Sequence, residues 1–115
     1  MRKQRIMSKM KRVEIAVETT LRDQVLRLIE RHATGYSVVP NVTGFGEHGL
    51  CDGKMTLIVT VVTEDHMDAI LDLIMPLVKE RAGIVTIADV AVVRPEHFMP
   101  EVRALTEKQL PRIGS

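Results

Sequence analysis

Two helix-patterned segments, each set between strand-patterned ones, leave this chain few ways to fold. Val13, Ile15 and Val17 alternate with Glu14, Ala16 and Glu18. A period of two describes a strand with one buried face. Leu21, Val25, Leu28 and Ile29 then repeat at helical spacing, with Arg22, Asp23, Arg27, Glu30 and Arg31 largely on the other faces. Thr19 and Thr20 are placed to cap this helix, and Gly35 to stop it. Residues 36–42 read as a second strand, with Pro40 marking an edge or a bulge. Residues 43–53 hold four glycines, at 44, 46, 49 and 53, and read as a mobile loop. A third strand follows over 54–63, and Thr63 caps a second helix from Glu64 to about Arg81. Met67, Ile70, Leu71, Ile74, Leu77 and Val78 form its apolar stripe, and Pro76 predicts a kink. Residues 84–93 are almost continuously apolar, which predicts a central fourth strand.

This β-α-β-loop-β-α-β order predicts an α+β fold. Right-handed crossovers close it into an antiparallel sheet with both helices on one face, the ferredoxin-like βαββαβ arrangement. The other sheet face, read from Ala16, Ile58, Val62, Val85 and Ile87, is too apolar for water. Sheet-to-sheet packing of subunits in a closed oligomer is the simplest cover.

At 115 residues the chain is one domain of modest core. Hydrophobic residues at 45% and charged residues at 27% exclude wholesale disorder. Its formal charge of +1 hides a segregation. Arg2, Lys3, Arg5, Lys9, Lys11 and Arg12 crowd the first twelve positions, and the rest holds ten basic against fifteen acidic groups. Such an acidic body is a poor partner for nucleic acid, whose binding rests on phosphate neutralisation. Tyr36, Phe45 and Phe98 are the three aromatics, too few for a base-stacking platform. We divide the chain into a basic arm (1–10), a folded domain (11–94) and a tail (95–115) with a short helix over 100–110. Met7 or Met10 is an alternative start. No apolar run reaches the roughly 18 residues of a membrane span, so membrane contact is expected only through a protein partner. A single cysteine, Cys51, forms no internal disulfide framework, and the expected location is the cytoplasm.

Chemistry is sparse. Gly44-Phe45-Gly46 at a strand end lets backbone amides approach an anion. It is no dinucleotide fingerprint, since a strand and not a helix follows. His32, His48, His66 and His97 show neither helical i, i+4 pairing nor the compact spacing of a zinc site, and no resident metal is expected. Ser8, Ser37 and Ser115 lack a surrounding nucleophile motif, so no enzymatic activity is expected.

Four segments carry a resemblance: Gly35-Tyr36-Ser37-Val38, Thr43-Gly44-Phe45-Gly46, Val61-Val62-Thr63-Glu64-Asp65 and Ala82-Gly83-Ile84-Val85. Through them residues 11–94 resemble the PII signal-transduction superfamily. The resemblance implies a homotrimer with inward-facing sheets and adenine nucleotides in the clefts between subunits. Residues 43–54 would be the T-loop, which changes conformation with ligand and touches target proteins. Ser37, Gly44 and Gly46 fall on nucleotide-contacting positions, with Phe45 inside that step and His48 beside it. Gly83 matches a glycine of the phosphate-facing B-loop, and Lys54 or Arg94 would offer phosphate a charge. The chain departs from the common pattern at Ile84, which replaces the B-loop lysine, and at Arg94, which stands alone where two arginines are usual. Its T-loop is short and has no tyrosine, so uridylylation is not expected.

These departures resemble the PII-like branch linked to inorganic carbon and the carboxysome. That branch implies ADP or AMP as ligands, ATP held more weakly, bicarbonate as a second ligand and no tightly bound cofactor. Its target would be a bicarbonate transporter or a carboxysome-related protein. Two other ferredoxin-like readings stand beside it: a CutA-like metal-binding trimer using His48 and Cys51, and a small acyl-phosphate or phosphate-ester hydrolase.

Overall fold

The structure is a computed structural model that describes residues 7–46, 49–81 and 83–93, without the side chains of 45, 46 and 49–53. The expected helix over 100–110, and most of the arm and tail, lie outside the described residues. The elements are β1 (Ser8–Glu18), a 3₁₀ turn (Thr19–Leu21), α1 (Arg22–Ile29), β2 (Ser37–Gly46), β3 (Gly49–Val62), α2 (Glu64–Glu80) and β4 (Gly83–Val92). They form one four-stranded sheet of order β2-β3-β1-β4, with every described pairing antiparallel. This is the α+β ferredoxin-like fold that the periodicities predict. β1 starts at Ser8, so the ladder reaches into the segment read as a basic arm.

Alternation decides which face each strand buries. Val13, Ile15 and Val17 of β1 stand opposite Thr60, Ile58 and Thr56 of β3, and all six are buried. Leu21, Val25 and Ile29 from the first helical segment and Ile70, Ile74 and Val78 from α2 close over them. The two buried threonines are satisfied. Thr60 donates its hydroxyl proton to the Gly35 carbonyl at 2.6 Å, and the Thr56 and Thr19 hydroxyls bond at 2.9 Å. Bonding removes the penalty of burying these groups.

Several expectations are corrected. Neither Thr19 nor Thr63 caps a helix through its side chain. The Thr19 hydroxyl is committed to Thr56, and Thr63 supplies its backbone carbonyl to the Met67 amide at 2.9 Å. α1 ends at Ile29, well before Gly35, in a turn where the Ala33 amide reaches the Ile29 carbonyl. α2 runs through Pro76.

β4 is an edge strand and not the central one; β1 is central. A continuous apolar run reports that both faces are covered, which position within one chain's sheet does not decide. The apolar second face is also differently composed. Ile58 and Val62 are buried under the helices, Val85 packs against that core, and Ile87 shares its face through the pairing with Val13. Only Ala16 of the five lies on the open face. Which way a side chain points depends on register, and a one-residue difference reverses it.

The open face is nonetheless apolar in its own way. Val39 pairs with Leu57, Leu57 with Ala16, and Ala16 with Ile84. Four apolar side chains therefore cross all four strands in one row. Ile84 is 60% exposed and Val39 45%.

Lys11 and Asp89, paired across β1 and β4, form an ion pair. The hydrogen bond to Asp89 holds the Lys11 ammonium above its usual pKa, against partial burial and with help from the charges of Asp89, Glu64 and Asp68. The same bond, with the Lys11 charge, holds the Asp89 carboxyl below its usual value. A depressed acid contributes stability above its unfolded pKa and loses it as pH falls through the folded one; a raised base does the opposite at the alkaline end. The stability difference between wild type and Asp89→Asn should therefore be flat at neutral pH and shrink towards both extremes. Melting curves against pH check this, and added salt should reduce the difference, because Asp89 faces water.

Candidate functional site

Within the segment read as a mobile loop, the described residues 44–46 and 49–51 pair as a ribbon on the β2 edge. Gly44 stands opposite Cys51, Phe45 opposite Leu50 and Gly46 opposite Gly49. Glycine weakens a strand through its conformational entropy, but an antiparallel ladder needs only backbone amides and carbonyls, which glycine supplies. The ribbon is set off from the sheet by register shifts between Val39 and Val42 and between Val42 and Gly44. Pro40, which has no amide proton to donate, lies inside the first shift, beside Asn41 at a φ of 59°. Pro40 is thus on an edge strand and in a bulge, as its chemistry requires.

The strand pairing shows where the candidate residues stand. Val42 pairs with Met55, and Met55 with Glu18 at the end of β1. Gly83 pairs with Val17, one residue earlier. Gly44, exposed Lys54 and Gly83 thus gather towards one end of the sheet. They do not gather at one point. Gly44 is on the β2 edge and Gly83 on the β4 edge, with β3 and β1 between them. Three strand spacings of about 4.8 Å put the two edges roughly 14 Å apart. Ser37 is exposed on the β2 edge, opposite Val59, nearer the middle of the sheet. His48, Arg94 and the Phe45 side chain lie outside the described residues.

Gly83 has a packing reason as well as a candidate ligand role. A Cβ placed there would lie 3.1 Å from the Ala16 carbonyl oxygen and 3.4 Å from methyls of Val17 and Val78. Sequence reasoning missed Arg81, close to this glycine. Its guanidinium donates to the Glu18 carboxylate at 2.7 Å, pinning the entry to β4 against the end of β1. Opposite charges 63 positions apart give no sequence signal of such a pair.

Among the described residues no group of three or more His, Cys, Asp or Glu side chains is arranged to hold a metal ion. No helix among them is long and apolar enough to cross a membrane.

The sheet carries a glycine ribbon on one edge and a tightly packed glycine on the other. The family model described as Nitrogen regulatory protein P-II matches residues 10–97. The chain belongs to the P-II family, in its PII-like branch. No curated protein matches it. Among solved structures it is similar to CPII, a nitrogen regulatory PII-like protein from Thiomonas intermedia K12, bound to ADP, AMP and bicarbonate. The TM-score is 0.79 at 25% identity, over 83% of this chain and 98% of that one. CPII bound to ADP and bicarbonate gives 0.78 at 26% identity, over 84% and 100%. A PII-like signalling protein from Thermus thermophilus gives 0.69 at 26% identity, over 81% and 98%.

Proposed function

We propose that the protein is a non-enzymatic sensor that binds ADP or AMP, with bicarbonate as a second ligand, in clefts between the subunits of a homotrimer. The separation of Gly44 and Gly83 across the sheet carries this reading. A phosphate chain held at both glycines meets the β2 edge of one copy and the β4 edge of another. The apolar row Val39–Leu57–Ala16–Ile84 supplies the surface on which copies pack. Ser37 offers a hydroxyl, Gly44 and Gly46 offer backbone amides, and Lys54 offers a charge to the ligand. His48 and Arg94 complete the proposed set. Similarity to CPII, solved with ADP, AMP and bicarbonate, supports the choice of ligands.

Ligand on the ribbon edge biases residues 43–54 between two arrangements, and a target protein reads the difference. The target belongs to inorganic-carbon handling, such as a bicarbonate transporter, and the setting is the cytoplasm. Titration calorimetry with ADP, AMP and ATP, each with and without bicarbonate, tests the proposal. Saturable binding of ADP or AMP, strengthened by bicarbonate, is expected. No heat from any adenine nucleotide at millimolar concentration would sink it.

A further inference from the structure

The proposed cleft brings a phosphate chain to Gly83 at a corner of the fold that is itself negative. α2 ends at Glu80, so the carbonyl end of its dipole lies just before Gly83 in the chain. Glu18 closes β1 at the same corner, one residue beyond Val17, the ladder partner of Gly83. A polyphosphate meeting the Gly83 backbone here is repelled by that field unless a cation offsets it.

Arg81 stands where such a cation is needed. Its amide closes the last turn of α2 on the Leu77 carbonyl at 3.2 Å, which fixes its backbone two residues before Gly83. Its guanidinium donates to the Glu18 carboxylate at 2.7 Å. The pair is open to water, with the Arg81 side chain 48% exposed and that of Glu18 31%. An exposed ion pair of this kind contributes little stability, so its arginine exchanges partners easily. A phosphate chain carries more charge than one carboxylate, and the planar guanidinium fits two of its oxygens at once.

We infer that Arg81 is the phosphate-binding cation on the β4 side of the cleft, and that Glu18 holds it when nucleotide is absent. The inference rests on the proposed nucleotide reading and adds to it a ligand residue and an internal competitor. Without ligand, Arg81 ties the entry of β4 to the end of β1. With ligand, its guanidinium turns from Glu18 to the phosphates, and Lys54 approaches them from the neighbouring copy. Glu18 thereby lowers the affinity that Arg81 alone would give. The competition favours the nucleotide with more phosphate, so ADP depends on Arg81 more than AMP does.

Calorimetry of the full chain with ADP and with AMP tests this. Arg81→Gln should weaken ADP at least about tenfold and AMP by less, and Arg81→Lys should recover part of the loss. Glu18→Gln, which frees the guanidinium, should strengthen ADP about twofold or more. The opposite signs are the signature, because a pair that only braces the corner would lose binding alike in both variants. Lys79→Gln, in the same last turn of α2, should leave ADP binding unchanged. Circular dichroism and sedimentation check that each variant keeps the fold and mass of wild type. Wild-type ADP affinity in Arg81→Gln, equal weakening by Arg81→Gln and Glu18→Gln, or an equal loss in Lys79→Gln would each overturn the inference and leave the nucleotide reading in place. Absence of ADP and AMP binding by wild type would overturn both.

Discussion

Ala16→Glu should yield a folded monomer that has lost ADP and AMP binding. Ala16 is central in the apolar row, flanked by Leu57 on one side and Ile84 on the other. Its side chain points away from the helices, so a longer residue does not enter the core of its own subunit. In the proposed trimer the same carboxylate is buried without a partner in every subunit, which costs several kcal/mol per charge. Association should fall by orders of magnitude. The nucleotide site, drawing on the β2 edge of one copy and the β4 edge of another, would disappear with it. Sedimentation or light scattering reads the mass, circular dichroism the fold, and calorimetry the binding. A monomeric variant that still binds ADP with wild-type affinity would refute the inter-subunit cleft.

Gly83→Val should be the most destabilising single change among the candidate site residues, by about 3 kcal/mol, with Gly83→Ala near ~1 kcal/mol. The Ala16 oxygen 3.1 Å from the new Cβ is backbone in the central strand and moves only if the ladder moves. The two valine methyls at 3.4 Å belong to packed residues of β1 and α2, so the new side chain also meets neighbours that cannot easily give way. Against a total stability of about 5–15 kcal/mol this loss is large. Chemical denaturation measures it. A Gly83→Val protein of wild-type stability that fails to bind nucleotide would reverse the assignment and make Gly83 a ligand residue alone.

Element type and order were legible because they depend on local periodicity. Val13, Ile15 and Val17 state a half-buried strand by themselves, and Ile70, Ile74 and Val78 state a helix stripe. The face each strand shows to the helices was less legible. Ile58 looks the same in sequence whether it points into the core or away from it, and only its pairing with Ile15 decides. The place of β4 was misread for a related reason. Apolar residues on both faces of a strand say that both are covered, and the covering surface need not belong to the same chain. Glycine content misled at 44–46 and 49–51, because backbone pairing with a neighbouring strand outweighs intrinsic preference. Gly44-Phe45-Gly46 is offered by its own glycines at a strand end, and the other candidate residues come from resemblance alone. Isolated glycines, one serine and one lysine carry no spacing signal, and the distance between Gly44 and Gly83 exists only once the strands are ordered. The 3.4 Å approach of the His32 and His66 Nδ1 atoms, 34 positions apart in sequence, was invisible for the same reason.

The central position of β1 also sets when the molecule can fold. Val13, made early, finds its two ladder partners only in Thr60 and Ile87. A nascent chain ending before residue 83 has its first strand half paired and lacks the edge that Gly83 anchors. Such distant pairings make the search slow, because loop-closure entropy is lost before the contacts form. Folding therefore completes after most of the chain has left the ribosome. Until then the apolar strand meant for the middle of the sheet stays available to the wrong neighbour.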